Sequence, residues 1–126
     1  MVRVLVADDS KLMREALLHL LKSDPEIHLV GQAASFGQTL QLANEVRPDV
    51  IVMDLHMPDE KTLIPAAFKA SLRGIKVIAI SLWTDDENKA WAERLCGVSL
   101  LDKATLASEL TNAIRQCQTN RHAAKA

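Results

Sequence analysis

The sequence has too few cysteines and too irregular a histidine spacing for a disulfide-stapled or zinc-binding protein. Its 126 residues include two cysteines, Cys96 and Cys117, which form no CxxC pair. We therefore expect free thiols in a reducing cytoplasm rather than a disulfide framework or a metal site. The four histidines show no ligand spacing such as HxxxH, which argues against a zinc site.

Long apolar runs and an excess of positive charge are also missing. No run approaches the length needed to span a bilayer, and the first residues lead into a strand-like segment rather than a signal peptide. Fifteen Lys and Arg against sixteen Asp and Glu give a net charge of −1, which excludes nucleic-acid binding by charge alone. The composition, 48% apolar and 25% charged, is that of an ordinary globular chain. We expect one domain over residues 1–118 and a polar tail or linker start over 119–126.

Strand-like and helix-like segments alternate along the chain. Three short apolar runs predict buried strands, and two weaker runs predict strands at the sheet edges. The strong candidates are residues 2–7, 49–53 and 75–80, and the weak ones are 27–32 and 98–101. Five segments with apolar residues at helical spacing lie between and after them, the first over residues 10–23 with Ser10 as its N-cap.

This alternation predicts an α/β fold, a doubly wound parallel sheet of five strands with helices on both faces. Three apolar strands inside and two weak ones outside suit the strand order 2-1-3-4-5. In such sheets ligands bind at the carboxyl ends of the strands, near the switch in strand order.

Five polar residues stand at these predicted strand ends: Asp8, Asp9, Asp54, Ser81 and Lys103. Each has an ordinary interpretation by itself, as a helix cap, a turn aspartate, a loop hydroxyl or a surface lysine. Those interpretations do not predict that three carboxylates, a hydroxyl and an ammonium fall on one edge of the sheet. We therefore take them as a candidate site.

Electrostatics indicates what such a site binds. Two carboxylates about 5 Å apart repel by roughly 3 kcal/mol at an effective dielectric constant of about 20. A hard divalent cation removes the conflict, and carboxylate and carbonyl oxygens with water are typical ligands of Mg²⁺. A carboxylate beside Mg²⁺ can attack phosphorus and form an acyl phosphate, with a lysine and a hydroxyl stabilising the transferred group.

Four segments at these strand ends resemble the receiver domain of bacterial two-component response regulators. They are VLVADDS at residues 4–10, PDVIVMDLHMP at 48–58, VIAIS at 77–81 and DK at 102–103. The resemblance covers nearly the whole chain and implies the flavodoxin-like, CheY-like (βα)5 fold. Weaker similarity near residues 30–33 and 109–114 points to receivers of LuxR/NarL-type transcription factors.

The resemblance implies a role for each candidate residue. Asp54 would accept a phosphoryl group from a histidine kinase or a small phosphodonor. Asp8, Asp9, Asp54 and the backbone carbonyl of His56 would hold Mg²⁺. Ser81 and Lys103 would each contact a phosphoryl oxygen. Phosphorylation would then alter the face formed by the fourth helix, the fifth strand and the fifth helix.

Three positions depart from the pattern of the family. Leu100 stands where an aromatic residue reports the switch, Ala104 replaces a proline that follows a cis bond, and Thr62 replaces a glycine. A cis bond before alanine costs roughly 3 kcal/mol, so we expect a trans bond there. In the family, residues equivalent to His56 and Trp83 flank the path of the attacking water, so Trp83 either shields the phosphoryl group or packs on the surface.

Two further functions compete with the phosphorylation switch. The first is a receiver-like interaction module that works without phosphorylation, which the altered positions favour. The second is an aspartate-nucleophile phosphatase, which would need a second acid where His56 stands. We expect no turnover substrate. The partners implied are a sensor histidine kinase and a downstream output domain or protein, and a phosphorylation-dependent homodimer stays open.

Overall fold

A five-stranded parallel sheet organises the molecule. The computed structural model describes the backbone of residues 1–97 and 99–125 and the side chains of residues 1–97 and 99–117. The strands lie in the order β2-β1-β3-β4-β5, as the sequence predicts. Their bounds are β1 Val2–Ala7, β2 Ile27–Ala33, β3 Val50–Asp54, β4 Lys76–Ser81 and β5 Leu100–Asp102.

One helix follows each strand, so the predicted alternation is confirmed. The helices are α1 Lys11–Lys22, α2 Phe36–Val46, α3 Pro65–Ser71, α4 Asp86–Leu95 and α5 Leu106–Lys125. Short 3₁₀ turns at Glu60–Thr62 and Lys103–Thr105 precede α3 and α5. Within the described residues, no helix is both long enough and apolar enough to cross a bilayer.

Side-chain caps set where the helices begin. Ser10 accepts a hydrogen bond from the Met13 amide at the start of α1, which confirms the predicted N-cap. Asp85 caps α4 in the same way through the Asn88 amide. Arg47 ends α2 in the left-handed conformation, with φ 46°, directly before Pro48.

Two apolar clusters pack on opposite faces of the sheet, because alternate strand residues point to opposite faces. Leu5, Ile51 and Met53 lie on one face with Phe36 and Phe68, whose rings meet edge to face at 5.5 Å. The other face carries residues from the inner strands and from α1 and α5: Val4, Val6, Val52, Ile78, Ile80, Leu17, Leu21, Leu110 and Ile114. Burial on both faces of the inner strands explains their nearly continuous apolar sequence.

The structure differs from the expectations mainly at element ends. Asp54 and Ser81 are the last residues of their strands rather than the residues after them. Val98, predicted to begin β5, lies outside the described residues. The last helix continues to Lys125, through the stretch expected to be a polar tail. That stretch is rich in residues of good helix propensity, and its use as a linker stays a prediction.

Candidate functional site

Three carboxylates meet at the carboxyl edge of the sheet. Asp8 and Asp9 follow β1, and Asp54 ends the neighbouring strand β3. One carboxylate oxygen from each of the three lies within 4.8 Å of the others, which confirms the predicted convergence. Asp8 and Asp54 are buried, whereas Asp9 is exposed. We call these three residues the acidic cluster.

Lys103 supplies the positive charge next to the acidic cluster. Its Nζ lies 2.9 Å from Asp8 Oδ2 and 3.4 Å from Asp54 Oδ1. It reaches the cluster from the turn after β5, a strand that is separated from β3 by β4. Burial alone lowers the pKa of Lys103, but hydrogen bonding and attraction to the two carboxylates outweigh it and raise the pKa. Lys103 therefore stays charged between the two acids.

The charge of Asp54 is only partly compensated for its burial. Burial, and then the neighbouring charge of Asp8, raise the pKa of Asp54 to about 6, against the opposing effects of Lys103 and the His56 amide. That amide donates to Asp54 Oδ1 at 3.2 Å. One lysine shared between two acids leaves excess negative charge, so the site favours a further cation.

The residues present fit a magnesium ion. Asp8 Oδ1 accepts the Ser10 amide at 2.9 Å, which fixes the carboxylate. Among the described residues, Asp8 Oδ2 is a buried oxygen that accepts no well-oriented hydrogen bond, although the Lys103 ammonium lies beside it. A buried carboxylate oxygen whose lysine is shared with Asp54, together with the other two carboxylates, matches the ligands of a hard divalent cation.

Ser81 lies at the same edge of the sheet, at the end of β4. It is buried, and its predecessor Ile80 pairs with Asp54 in the register of β3 and β4. Its Oγ accepts a hydrogen bond from the Trp83 amide at 3.0 Å, which leaves the hydroxyl proton available for another acceptor. Trp83 is 59% exposed, and its ring meets the His56 ring edge to face at 6.2 Å.

The His56 side chain is fixed by acceptors on both sides. Its Nδ1 lies 3.2 Å from both carboxylate oxygens of Glu60, and its Nε2 faces Asn88 Oδ1. The Asn88 amide is oriented because its Nδ2 donates to Asp85 at 2.7 Å. Burial lowers the pKa of His56, but hydrogen bonds to Asn88 and Glu60 outweigh it and raise the pKa. Two acceptors favour an imidazolium that donates from both nitrogens.

The three departures from the family pattern have local structural solutions. The Ala104 amide donates to Asp102 Oδ1 at 2.8 Å, a bond that a proline could not make. The peptide bond between Lys103 and Ala104 is trans, as expected, and the described residues contain no cis peptide bond. Thr62 donates from Oγ1 to the Asp59 carbonyl at 2.9 Å. Leu100 is half-buried and packs against the apolar cluster that contains Phe36.

Besides Glu60 and Asn88, which contact His56, three further residues that support the site were missed by sequence reasoning. Arg14 donates to the Asp8 carbonyl at 2.8 Å, and Asp59 accepts the amides of Phe36 and Gly37, each at 3.0 Å, at the start of α2. Trp91 donates from Nε1 to the Leu55 carbonyl at 3.1 Å. Most of these contacts join residues far apart in sequence, so no local spacing signals them.

Comparison with known proteins gives a consistent result over almost the whole chain. A family model described as "Response regulator receiver domain" matches residues 4–115. The transcriptional regulatory protein LiaR of Bacillus subtilis is 33% identical over 118 residues, 91% of this chain and 55% of LiaR. Protein-glutamate methylesterase/protein-glutamine glutaminase 3 of Syntrophomonas wolfei is 38% identical over 86 residues, 68% of this chain and 24% of that protein.

A solved structure shows the same architecture. The response regulator domain of Thermotoga maritima CheB is similar with a TM-score of 0.81 and 32% identity, over 94% of this chain and 97% of that one. The chain therefore spans about half of LiaR and about a quarter of the methylesterase, but nearly all of an isolated response regulator domain.

Proposed function

The chain belongs to the response regulator receiver domain family, whose members act in two-component signalling, and from this premise we propose that it is a phosphorylation-dependent switch. Asp54 accepts a phosphoryl group from a histidine kinase or a small phosphodonor. The observation that carries this proposal is the acidic cluster with Lys103, in which a buried, under-compensated Asp54 stands beside Asp8.

Asp8, Asp9, Asp54 and the backbone carbonyl of His56 would hold Mg²⁺. When bound, the ion neutralises the carboxylates and the charge of an incoming phosphoryl group. The buried Asp8 Oδ2 and the excess of negative charge in the cluster support this assignment.

The chemistry of the proposal is transfer of one phosphoryl group. A carboxylate oxygen of Asp54 forms a bond to phosphorus while the bond from phosphorus to the donor nitrogen or oxygen breaks, and the donor leaves with that electron pair. Lys103 pairs with one phosphoryl oxygen, and the Ser81 hydroxyl donates to another. Both groups offset charge on the transferred group, which is where phosphoryl transfer needs stabilisation.

The output of the switch is the face formed by α4, β5 and α5. Phosphorylation draws Ser81 toward the phosphoryl group and biases this face between two arrangements. The relatives include a transcriptional regulatory protein and a protein-glutamate methylesterase, each longer than the matched segment. The partners proposed are therefore a histidine kinase and an output domain or protein.

Two positions favour a second function, that of an interaction module independent of phosphate. Leu100 has no hydroxyl and Ala104 makes its own turn contact, so part of the usual switch is missing. Adding Mg²⁺ and beryllofluoride, a phosphoryl mimic, while following tryptophan fluorescence separates the two functions. A folded protein that does not respond would favour the interaction module.

Intact-mass measurement after incubation with acetyl phosphate and Mg²⁺ tests the main proposal. Wild type is expected to gain the mass of one phosphoryl group, and Asp54→Asn none. Asp86→Asn, an exposed acid on α4, is the matched control and should behave as wild type. No gain in wild type, or an equal gain in Asp54→Asn, would overturn the proposal.

A further inference from the structure

Helix α4 has few buried apolar residues. Its fully buried residues are Ala92 and Leu95, both on the face toward the apolar cluster. An element with so few buried apolar groups opens locally at a low free energy. Individual hydrogen bonds therefore contribute a large share of what fixes its position. Two such bonds connect α4 to the loop between β3 and α3 (residues 55–64).

The first bond runs from Trp91 to Leu55. The indole Nε1 donates to the Leu55 carbonyl at 3.1 Å, and this nitrogen can only donate. The Arg94 guanidinium lies 5.2 Å above the Trp91 ring, which helps to fix the orientation of the indole. The bond therefore joins α4 to the peptide group between Leu55 and His56, the same group whose amide donates to Asp54 Oδ1.

The second bond joins Asn88 to His56. Asn88 Oδ1 faces His56 Nε2, and the amide cannot turn over without losing its Nδ2 bond to Asp85 at 2.7 Å. The opposite nitrogen of the imidazole is held by Glu60, from the same loop as His56. The ring therefore connects α4 to the loop as a fixed bridge.

The two bonded residues are also tied to the phosphoacceptor. The Leu55 amide donates to the Ile80 carbonyl at 2.9 Å, and the His56 amide donates to Asp54 Oδ1 at 3.2 Å. The first two residues after Asp54 thus contact β4 and Asp54 through their backbone, and α4 through a carbonyl and a side chain. A displacement at Asp54 reaches α4 through one or two peptide groups.

We propose that Asn88 and Trp91 are positioning residues for the site, which hold Leu55 and His56 in place and make the position of α4 and the occupancy of the site mutually dependent. This inference rests on the proposed function. It gives the chain a connection to α4 that does not pass through Leu100, where the family places an aromatic residue. Because coupling between two sites is reciprocal, weakening either bond also weakens binding at Asp54.

Beryllofluoride with Mg²⁺ is the probe, and its affinity is measured by ¹⁹F NMR. Asn88→Ala and Trp91→Phe, the second of which keeps an aromatic ring, are each expected to weaken binding about fivefold or more. Glu87→Ala is the control, because Glu87 precedes Asn88 in α4, lines a surface groove with His56 and Trp83, and has a side chain that makes no hydrogen bond among the described residues. Its affinity is expected to stay within about twofold of wild type.

A spectroscopic measurement follows the Trp91 indole in the wild-type protein. The chain has two tryptophans, so a ¹H–¹⁵N spectrum shows two indole signals, which Trp83→Phe and Trp91→Phe assign. Saturating wild type with Mg²⁺ and beryllofluoride is expected to shift the Trp91 signal, because its acceptor carbonyl moves. An unshifted Trp91 signal, or equal affinities in wild type, Asn88→Ala and Trp91→Phe, would overturn the inference alone. If wild type bound no beryllofluoride, the proposed function would fail with it.

Discussion

Two buried aspartates at opposite ends of the sheet have opposite environments. Asp24 lies just before β2, where its Oδ1 accepts the Glu26 amide at 2.9 Å and its Oδ2 accepts two Arg115 donors at 3.1 and 2.8 Å. The backbone bond and then Arg115 hold the pKa of Asp24 below its ordinary value. Burial and Asp8 instead raise the pKa of Asp54 to about 6.

The difference separates a structural acid from a reactive one. Asp24 has a full set of donors, so its charge fastens α5 to the segment that leads into β2. Asp54 shares one lysine with a second acid, so its charge costs stability until another cation or a phosphoryl group alters the balance. Strongly shifted groups of the second kind are typical of functional sites.

The largest effect is expected from removing the lysine at the carboxyl end of the sheet. Lys103→Met takes away the ammonium that faces both Asp8 and the transferred group. We expect phosphorylation of Asp54 by acetyl phosphate to slow by roughly 10²-fold, as for loss of one preorganised stabilising group. Lys61→Met, at an exposed position, is the control. Phosphorylation by Lys103→Met at the wild-type rate, followed by intact mass over time, would contradict the assignment.

Neutralising Asp54 and neutralising Asp24 should change the free energy of unfolding in opposite directions. At pH 7 without divalent ions, Asp54→Asn is expected to raise the free energy of unfolding by about 1–2 kcal/mol, after allowance for solvent screening. Asp24→Asn is expected to lower it, because Arg115 loses its ion pair with Asp24. Urea unfolding of both variants measures these changes. If both substitutions lowered the free energy of unfolding, the contrast between Asp54 and Asp24 would be wrong.

The pH dependence of stability should also differ. The pKa of Asp54 in the folded state lies above its ordinary 3.8, so its ionisation costs stability as the pH rises from 3.8 to about 6. The higher free energy of unfolding expected for Asp54→Asn should therefore disappear below pH 3.8. The pKa of Asp24 lies below 3.8, so its contribution is present above that pH and is lost as the pH falls further. Asp24→Asn should approach wild type only in that acidic range, as unfolding curves across pH will show.

The smallest effect is expected at the exposed rim of the site. If Trp83 shields the phosphoryl group with its indole, Trp83→Ala should shorten the lifetime of phospho-Asp54 roughly threefold, equivalent to less than 1 kcal/mol in the barrier. Dephosphorylation is followed by intact mass after the phosphodonor is removed. An unchanged lifetime would mean that Trp83 only packs on the surface beside His56.

Most of the fold could be predicted because its signals are local. Runs of β-branched and apolar residues predict the inner strands, and helical spacing with Ser10 as a cap predicts α1. The position of the acidic cluster follows from one topological rule, since residues after parallel strands share an edge. Strand ends shift by a residue at Asp54 and Ser81, because the last ladder bonds depend on neighbouring strands.

Contacts between distant residues could not be predicted in this way. Trp91 and Leu55 are 36 residues apart, and Asn88 and His56 are 32 apart. Asp59 caps a helix that begins 23 residues earlier. No local motif surrounds these residues, so only the packing of the loop against the helix shows which residue each side chain contacts.

The order of elements, the burial of the inner strands and the gathering of acids at one edge follow from the sequence, because periodicity and strand order act through local chain geometry. The tertiary structure alone decided how each acid is compensated. Asp24 meets Arg115 across 91 positions of sequence, and Asp54 meets Asp8 and a shared Lys103. Charge interactions depend on distance and burial, and both of these are fixed only when the helices pack on the sheet.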